Sequence, residues 1–299
     1  MNGLIAATYA PMHADSSINL GVISEYGQFL KNNKIKGAFV NGSTGDFVSL
    51  STKERKEIIT EWSNTKPKDF FLVNHVGHNS LLEAKDLATH SADKVDAIAA
   101  LAPYYFRLSS LKSLLEYCKE IAACAPDTPF YYYHIPVLTG ANFLMHEFLE
   151  MASQEIPNFA GIKFTNNNLI DYKYCKDFNN GAYNILFGFD EILLASLPMG
   201  ADGWVGSTYN HLAPLYLSII EAFKNNDHTW AATLQEKSMK FVDILNATGG
   251  FNGAAKSFMK VLGVDCGPSR FPHITLTAQE LEQVEKELAH LGIMDHANK

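Results

Sequence analysis

Eight short apolar segments, each followed by residues at helical spacing, limit most severely what this chain can fold into. The segments lie at 3–8, 37–40, 70–73, 97–101, 129–133, 160–165, 185–187 and 204–205. Continuous apolar runs of this length read as strands buried on both faces. Their alternation with helices predicts a parallel sheet covered by helices. Helical spacing follows at 19–32, 51–63, 80–91, 111–123, 144–151, 168–177, 190–197 and 212–223. Ser51, with Glu54 three residues later, reads as a capping box at one helix start. Eight strand–helix units predict an α/β fold, a (β/α)8 TIM barrel over 1–226. Residues 227–299 show helical patterns without a ninth strand and read as a C-terminal helical appendage of the same domain. A doubly wound sheet is the alternative, but no Gly-x-Gly-x-x-Gly follows the first strand.

The sixth segment, Ala160-Gly161-Ile162-Lys163-Phe164-Thr165, carries a lysine inside an apolar run. A period of two puts Gly161, Lys163 and Thr165 on one face and Ile162 and Phe164 on the other. The first set is small or polar, so its face is expected to line the barrel. A buried amine is costly unless it is paired or loses its proton, and a neutral amine is a nucleophile toward carbonyl groups. Lys163 is therefore expected to form a Schiff base with a 2-oxo acid. The bland reading puts Lys163 at a strand end with its amine in solvent.

Barrel enzymes keep their active sites at the C-terminal ends of the strands, and the unusual residues fall there. Strand two ends in Gly42-Ser43-Thr44-Gly45, a turn whose N–H groups and hydroxyls suit a carboxylate. Strand four ends in Tyr104-Tyr105 and strand five in Tyr133-His134-Ile135-Pro136. Tyr133 is a candidate acid and base, with a core aromatic as the alternative. Strand seven ends in Gly188-Phe189-Asp190-Glu191. Adjacent Asp190 and Glu191 do not look like a paired dyad and equally suit a charged helix start. Gly206-Ser207-Thr208 after strand eight echoes the first hydroxyl turn. His75 and His78 lack the spacing of a zinc motif, so no metal site is expected.

Several function classes are disfavoured. A net charge of -8 without a basic cluster argues against nucleic acid and anionic membranes as partners. The four cysteines have no C-x-x-C spacing and read as free thiols of a reducing compartment. The N-terminus lacks a basic region followed by a cleavage site, and the longest apolar run, 97–106, is too short for a bilayer. A cytoplasmic protein is expected.

Taken together, Gly42-Ser43-Thr44-Gly45, Tyr133-His134-Ile135-Pro136, Gly161-Ile162-Lys163-Phe164-Thr165 and Gly188-Phe189-Asp190-Glu191 resemble the pyruvate-dependent class I aldolases. That superfamily includes the N-acetylneuraminate lyases and the dihydrodipicolinate synthases. The run from Gly200-Ala201-Asp202-Gly203 through Ser207-Thr208-Tyr209-Asn210 is similar to the N-acetylneuraminate lyases in particular. The resemblance extends over nearly the whole chain. It implies that Lys163 forms the Schiff base with C2 of open-chain sialic acid and that Tyr133 relays the proton of the C4 hydroxyl. It implies that Ser43 and Thr44 hold the pyruvate carboxylate, with Thr44 near Tyr133. Thr165, Gly188, Asp190, Glu191 and Ser207 would bind the sugar chain, and Tyr105 would complete the site of a neighbouring subunit in a homotetramer. The products would be N-acetylmannosamine and pyruvate, with no metal or organic cofactor. Asp46 departs from the glutamate usual in the family, Phe189 from a tyrosine and Arg107 from a proline of some members. Leu138 stands where the synthases carry a carboxylate-binding arginine, which disfavours their substrate. Another sugar-acid aldolase, or a catalytically silent barrel, completes the alternatives.

Overall fold

The apolar runs form eight parallel strands: β1 Gly3–Ala7, β2 Gly37–Val40, β3 Phe71–His75, β4 Ala97–Leu101, β5 Phe130–His134, β6 Phe159–Phe164, β7 Asn184–Phe187 and β8 Gly203–Gly206. A computed structural model describes residues 1–299. Each strand pairs with the next, and β1 closes the barrel against β8, Leu4 opposite Trp204 and Ile5 opposite Val205. The expected barrel is therefore present.

Alternation along the strands divides the apolar residues into two cores. Ile5, Ala7, Phe39, Val73, Ala99, Leu101, Tyr131, Tyr133, Leu186 and Val205 fill the interior. Leu4, Ala38, Leu72, Ile98, Tyr132, Ile162, Ile185 and Trp204 face the helices and belong to the larger outer core. The consecutive tyrosines of β5 are split in this way: Tyr132 packs on Phe148 outside, while its two neighbours point inward.

The surrounding helices are α1 Ile23–Asn32, α2 Thr52–Thr65, α3 Leu81–Ser91, α4 Leu111–Ala122, α5 Pro136–Thr139, α6 Met145–Glu155, α7 Leu169–Asp177, α8 Leu193–Ser196 and α9 Tyr209–Lys224. The Ser51 capping box is present, with the Glu54 N–H donating to Ser51 Oγ and the Ser51 N–H to Glu54. The short α5, absent from the periodicity, starts at Pro136, whose missing N–H costs nothing at a helix's first position.

The C-terminal region adds α10 His228–Ala247, α11 Phe251–Phe258 and α12 Ala278–His290 and no strand. Helix α10 lies along α9. The tail is stitched to the barrel by Asn298. Its Nδ2 donates to the Tyr209 and Asn210 carbonyls at 2.9 Å, and its Oδ1 accepts from the Ala213 N–H at 2.8 Å. Those groups lie where Leu212 leaves helical geometry and Pro214 lacks an N–H, so Asn298 satisfies a broken turn. The four cysteines are unpaired, and no helix is long and apolar enough to cross a membrane.

Candidate active site

The phase of β6 decides where the lysine points. Phe130 of β5 stands opposite Phe159, but Tyr131 stands opposite Gly161, so β6 carries one extra residue. Phe159 belongs to the outer core and Ala160 packs against the inner one; beyond the bulge, Ile162 and Phe164 face the helices again. Strict alternation from Phe159 would have put Lys163 outside, and the bulge turns it inward. Gly161 permits this: a Cβ there would lie 1.8 Å from the Asn184 carbonyl oxygen.

Lys163 is 3% exposed. Its Nζ lies 4.0 Å from the ring centroid of Phe39 and 3.9 Å from that of Tyr133. The two aromatic faces compensate part of the ammonium's lost hydration, but burial dominates. It lowers the amine to about 7, with the Asp190 carboxylate pulling in the opposite direction. A lysine in this range has a large neutral fraction at physiological pH.

Tyr133, on the neighbouring strand, has its hydroxyl 3.3 Å from Ser43 Oγ. Thr44, expected near this phenol, lines the same cavity, and the hydroxyl hydrogen-bonded to the phenol is that of Ser43. Burial pushes Tyr133 up to about 12, and the Ser43 hydroxyl pulls it back. Thr165 Oγ1 is buried and has no hydrogen-bond partner. It fits only because residue 188 is glycine, whose Cβ would stand 2.2 Å from it. In the turn after β2, the N–H groups of Asp46 and Phe47 bond back to Ser43 and Gly42, whereas those of Ser43, Thr44 and Gly45 donate to no protein group. They form a donor set suited to a carboxylate.

On the opposite wall, Asp190 is 4% exposed. The Thr208 N–H and Oγ1 donate to its Oδ2 at 2.9 and 2.7 Å. Its Oδ1 is unpartnered and sits over Gly206, where a Cβ would be 1.8 Å away. The short echo Gly206-Ser207-Thr208 thus has a definite use: the glycine makes room for the carboxylate and the threonine holds it. Burial raises Asp190, against the pull of Thr208 and Lys163. Glu191 is raised to about 7 by burial and by the Asp190 charge. The two carboxylates differ in setting, Asp190 being anchored on Thr208 while Glu191 has no such anchor.

These groups surround a cavity of about 550 Å³ at the C-terminal mouth of the barrel. Ser43, Thr44, Tyr133, Lys163, Thr165, Gly188, Asp190, Glu191 and Ser207 all line it. Tyr105 does not. It is 77% exposed on the loop after β4, edge-on to Phe106, whereas Tyr104 lines this chain's own cavity. Sequence reasoning missed the contribution of the C-terminal region: Phe251, Asn252, Pro272 and His273 close one side. Asn252 Nδ2 donates to the Ser43 carbonyl at 3.4 Å and lies 3.3 Å from His273 Nε2, which is 3.7 Å from Asp46. No local pattern marks these residues, which lie about 200 positions beyond the turn they touch. His75 is a buried framework residue, its Nδ1 2.8 Å from the Asn41 carbonyl and its own carbonyl accepting from Arg55. His134 lies 3.2 Å from Asn166.

The sequence profile described as the Dihydrodipicolinate synthetase family matches residues 1–291. The chain is 38% identical over 299 residues to the N-acetylneuraminate lyase of Mus musculus, covering 98% of this chain and 93% of that protein. Among solved structures, the Proteus mirabilis N-acetylneuraminate lyase superposes with a TM-score of 0.94 at 34% identity, covering 98% of this chain and 99% of that one. The N-acetylneuraminate lyase (sialic acid aldolase) from Aliivibrio salmonicida gives 0.94 at 33% identity, with 99% of both chains covered. With a closed eight-stranded barrel, a desolvated lysine at its mouth and a profile match over nearly its whole length, the chain belongs to the dihydrodipicolinate synthetase family.

Proposed function

We propose that this protein is a Schiff-base aldolase that reversibly cleaves N-acetylneuraminate to N-acetylmannosamine and pyruvate. The observation that carries the reading is the Lys163 amine, held near neutrality between Phe39 and Tyr133 at the base of a hydroxyl-lined cavity. The relatives named N-acetylneuraminate lyase supply the substrate.

Neutral Lys163 Nζ attacks C2 of the open-chain sugar acid, and loss of water with uptake of one proton from solvent gives a protonated imine. The N–H groups and hydroxyls of Ser43 and Thr44 hold the carboxylate. As the C4 hydroxyl loses its proton to Tyr133, the C3–C4 bond breaks and its electron pair flows into the iminium, leaving an enamine. At about 12, the phenol is protonated in the resting site. It therefore hands its own proton through Ser43 to the substrate carboxylate that Ser43 holds, as it accepts that of C4, and this proton is the one returned to C3 of the enamine. N-acetylmannosamine leaves, C3 is protonated, and hydrolysis frees pyruvate and Lys163. Thr165, Gly188, Asp190, Glu191 and Ser207 bind the sugar chain. The amine itself supplies the electron sink, so the chemistry calls for no metal or organic cofactor. We treat residues 1–226 and 227–299 as one catalytic unit, in a cytoplasmic homotetramer in which Tyr105 completes the site of a neighbour.

The test is reductive trapping. With N-acetylneuraminate as the only added carbonyl compound, borohydride and a chelator should leave a pyruvyl-sized adduct on Lys163, read by mass spectrometry. No adduct from the sugar acid, with pyruvate itself still trapped, would overturn the substrate and keep the aldolase class.

Tyr133→Phe separates the two halves of the mechanism. Turnover should fall about 10²–10⁴-fold, while pyruvate is still trapped on Lys163 at nearly the normal rate. Loss of trapping in the same measure as turnover would give Tyr133 a role in imine formation instead.

A further inference from the structure

Gln235 lies on α10, outside the barrel and the cavity, yet it is 5% exposed and its amide is fully engaged. Its Oε1 accepts from the Leu194 N–H at 2.8 Å. Its Nε2 donates to the Asp190 carbonyl at 3.2 Å and to Ser238 Oγ at 2.6 Å. Ser238 donates back to the Gln235 carbonyl at 2.7 Å, which fixes the amide's orientation. A buried amide is tolerated only when its donors and acceptor are matched, and here they are matched to the two ends of one tight turn.

That turn is the 3₁₀ segment Asp190–Ile192 leading into α8. It has no side-chain cap of its own, and the Asp190 carbonyl also closes it by accepting from the Leu193 N–H. It carries Asp190 and Glu191, both of which line the cavity. Thr208 holds the Asp190 side chain from the β8 side, and Gln235 holds the backbone from the opposite side. The direction of Glu191, which has no such anchor, then follows the backbone that Gln235 clamps.

We propose that Gln235 is a positioning residue that sets the orientation of Asp190 and Glu191 toward the hydroxylated part of the substrate, leaving imine chemistry at Lys163 untouched. The proposal rests on the sugar-aldolase reading for its substrate, but the clamp itself is a property of the free protein. Through it the C-terminal helices tune recognition of one half of the substrate only.

The experiment compares the full-length protein with Gln235→Met, of similar volume, and Gln235→Glu. In the condensation direction, Gln235→Met should raise KM for N-acetylmannosamine about tenfold, as expected for a lost buried hydrogen bond. KM for pyruvate and borohydride trapping on Lys163 should change less than twofold. Hydrogen exchange across 189–197 in the unliganded protein should accelerate about tenfold at the Leu194 amide. Gln235→Glu should behave like the original protein while the introduced carboxyl is protonated and still donates to the Asp190 carbonyl. It should lose N-acetylmannosamine affinity as rising pH ionises that group. Unchanged exchange with unchanged KM overturns the proposal, as does an equal loss of both substrates and of trapping, which marks a merely structural glutamine. If Gln235→Met does not fold, the pH dependence of Gln235→Glu decides. If the unaltered protein traps pyruvate but does not condense it with N-acetylmannosamine, the substrate reading fails, and the exchange measurement still tests the clamp.

Discussion

Replacing Lys163 with methionine abolishes turnover and stabilises the fold at the same time. Without the amine no imine forms, and cleavage should drop by at least about 10⁴-fold, the scale of losing a covalent nucleophile. The stability effect follows from burial. The lysine titrates at about 7 in the folded protein and at its ordinary 10.5 when unfolded. Between those values the unfolded chain binds more protons, so the stability of the original protein rises with pH across that window. At pH 7 and below the penalty is nearly full, roughly 5 kcal/mol as an upper bound. Methionine fills the space without a charge to desolvate. Denaturant midpoints at pH 7 should favour Lys163→Met by a few kcal/mol, with the gain shrinking toward pH 10. A variant that is no more stable at pH 7, or that still turns over, would contradict the picture of a buried, functionally costly amine. The site therefore trades stability for a reactive amine, as functional sites commonly do.

Gly161→Ala should produce the largest destabilisation of any single methyl addition in the site. The new Cβ would meet the Asn184 carbonyl oxygen at 1.8 Å and its carbon at 2.7 Å. Both belong to the backbone of the neighbouring strand and cannot swing aside. Relief requires β6 and β7 to separate where Gly161 pairs with Asn184. We expect a loss of about 3 kcal/mol or more, beyond ordinary overpacking. Because Lys163 is two residues further along the same strand, trapping of pyruvate should fall as well. A denaturant midpoint within about 0.5 kcal/mol of the original, with normal trapping, would show that the bulge accepts a side chain and that glycine is not what sets the phase of β6.

Much of the fold was legible because its signals are local. The eight apolar runs, the intervening helical periods and the Ser51–Glu54 cap each depend on residues a few positions apart, and the barrel follows from their number and order. The chemical character of the site was legible for the same reason. A lysine in an apolar strand, a hydroxyl turn and a tyrosine at a strand end are exceptions visible against their own surroundings.

The sequence by itself determined the strand count, the parallel architecture and the identity of the groups at the strand ends. Tertiary structure decided the rest. The inward direction of Lys163 was expected from the small and polar residues on its face, but the bulge at Ala160 that produces it depends on how β6 registers against β5 and passes β7. Its lowered pKa needed burial inside the closed barrel, against the pull of Asp190 from β7's end. The partner of Tyr133 was Ser43, while Tyr105 fell outside the cavity and Tyr104 inside. Phe251, Asn252 and His273 reached the site, and Gln235 its supporting turn, from beyond the last strand. Periodicity is set by each residue's near neighbours. Register, burial and cross-chain hydrogen bonds are set by barrel closure, which brings together residues that no short-range pattern connects.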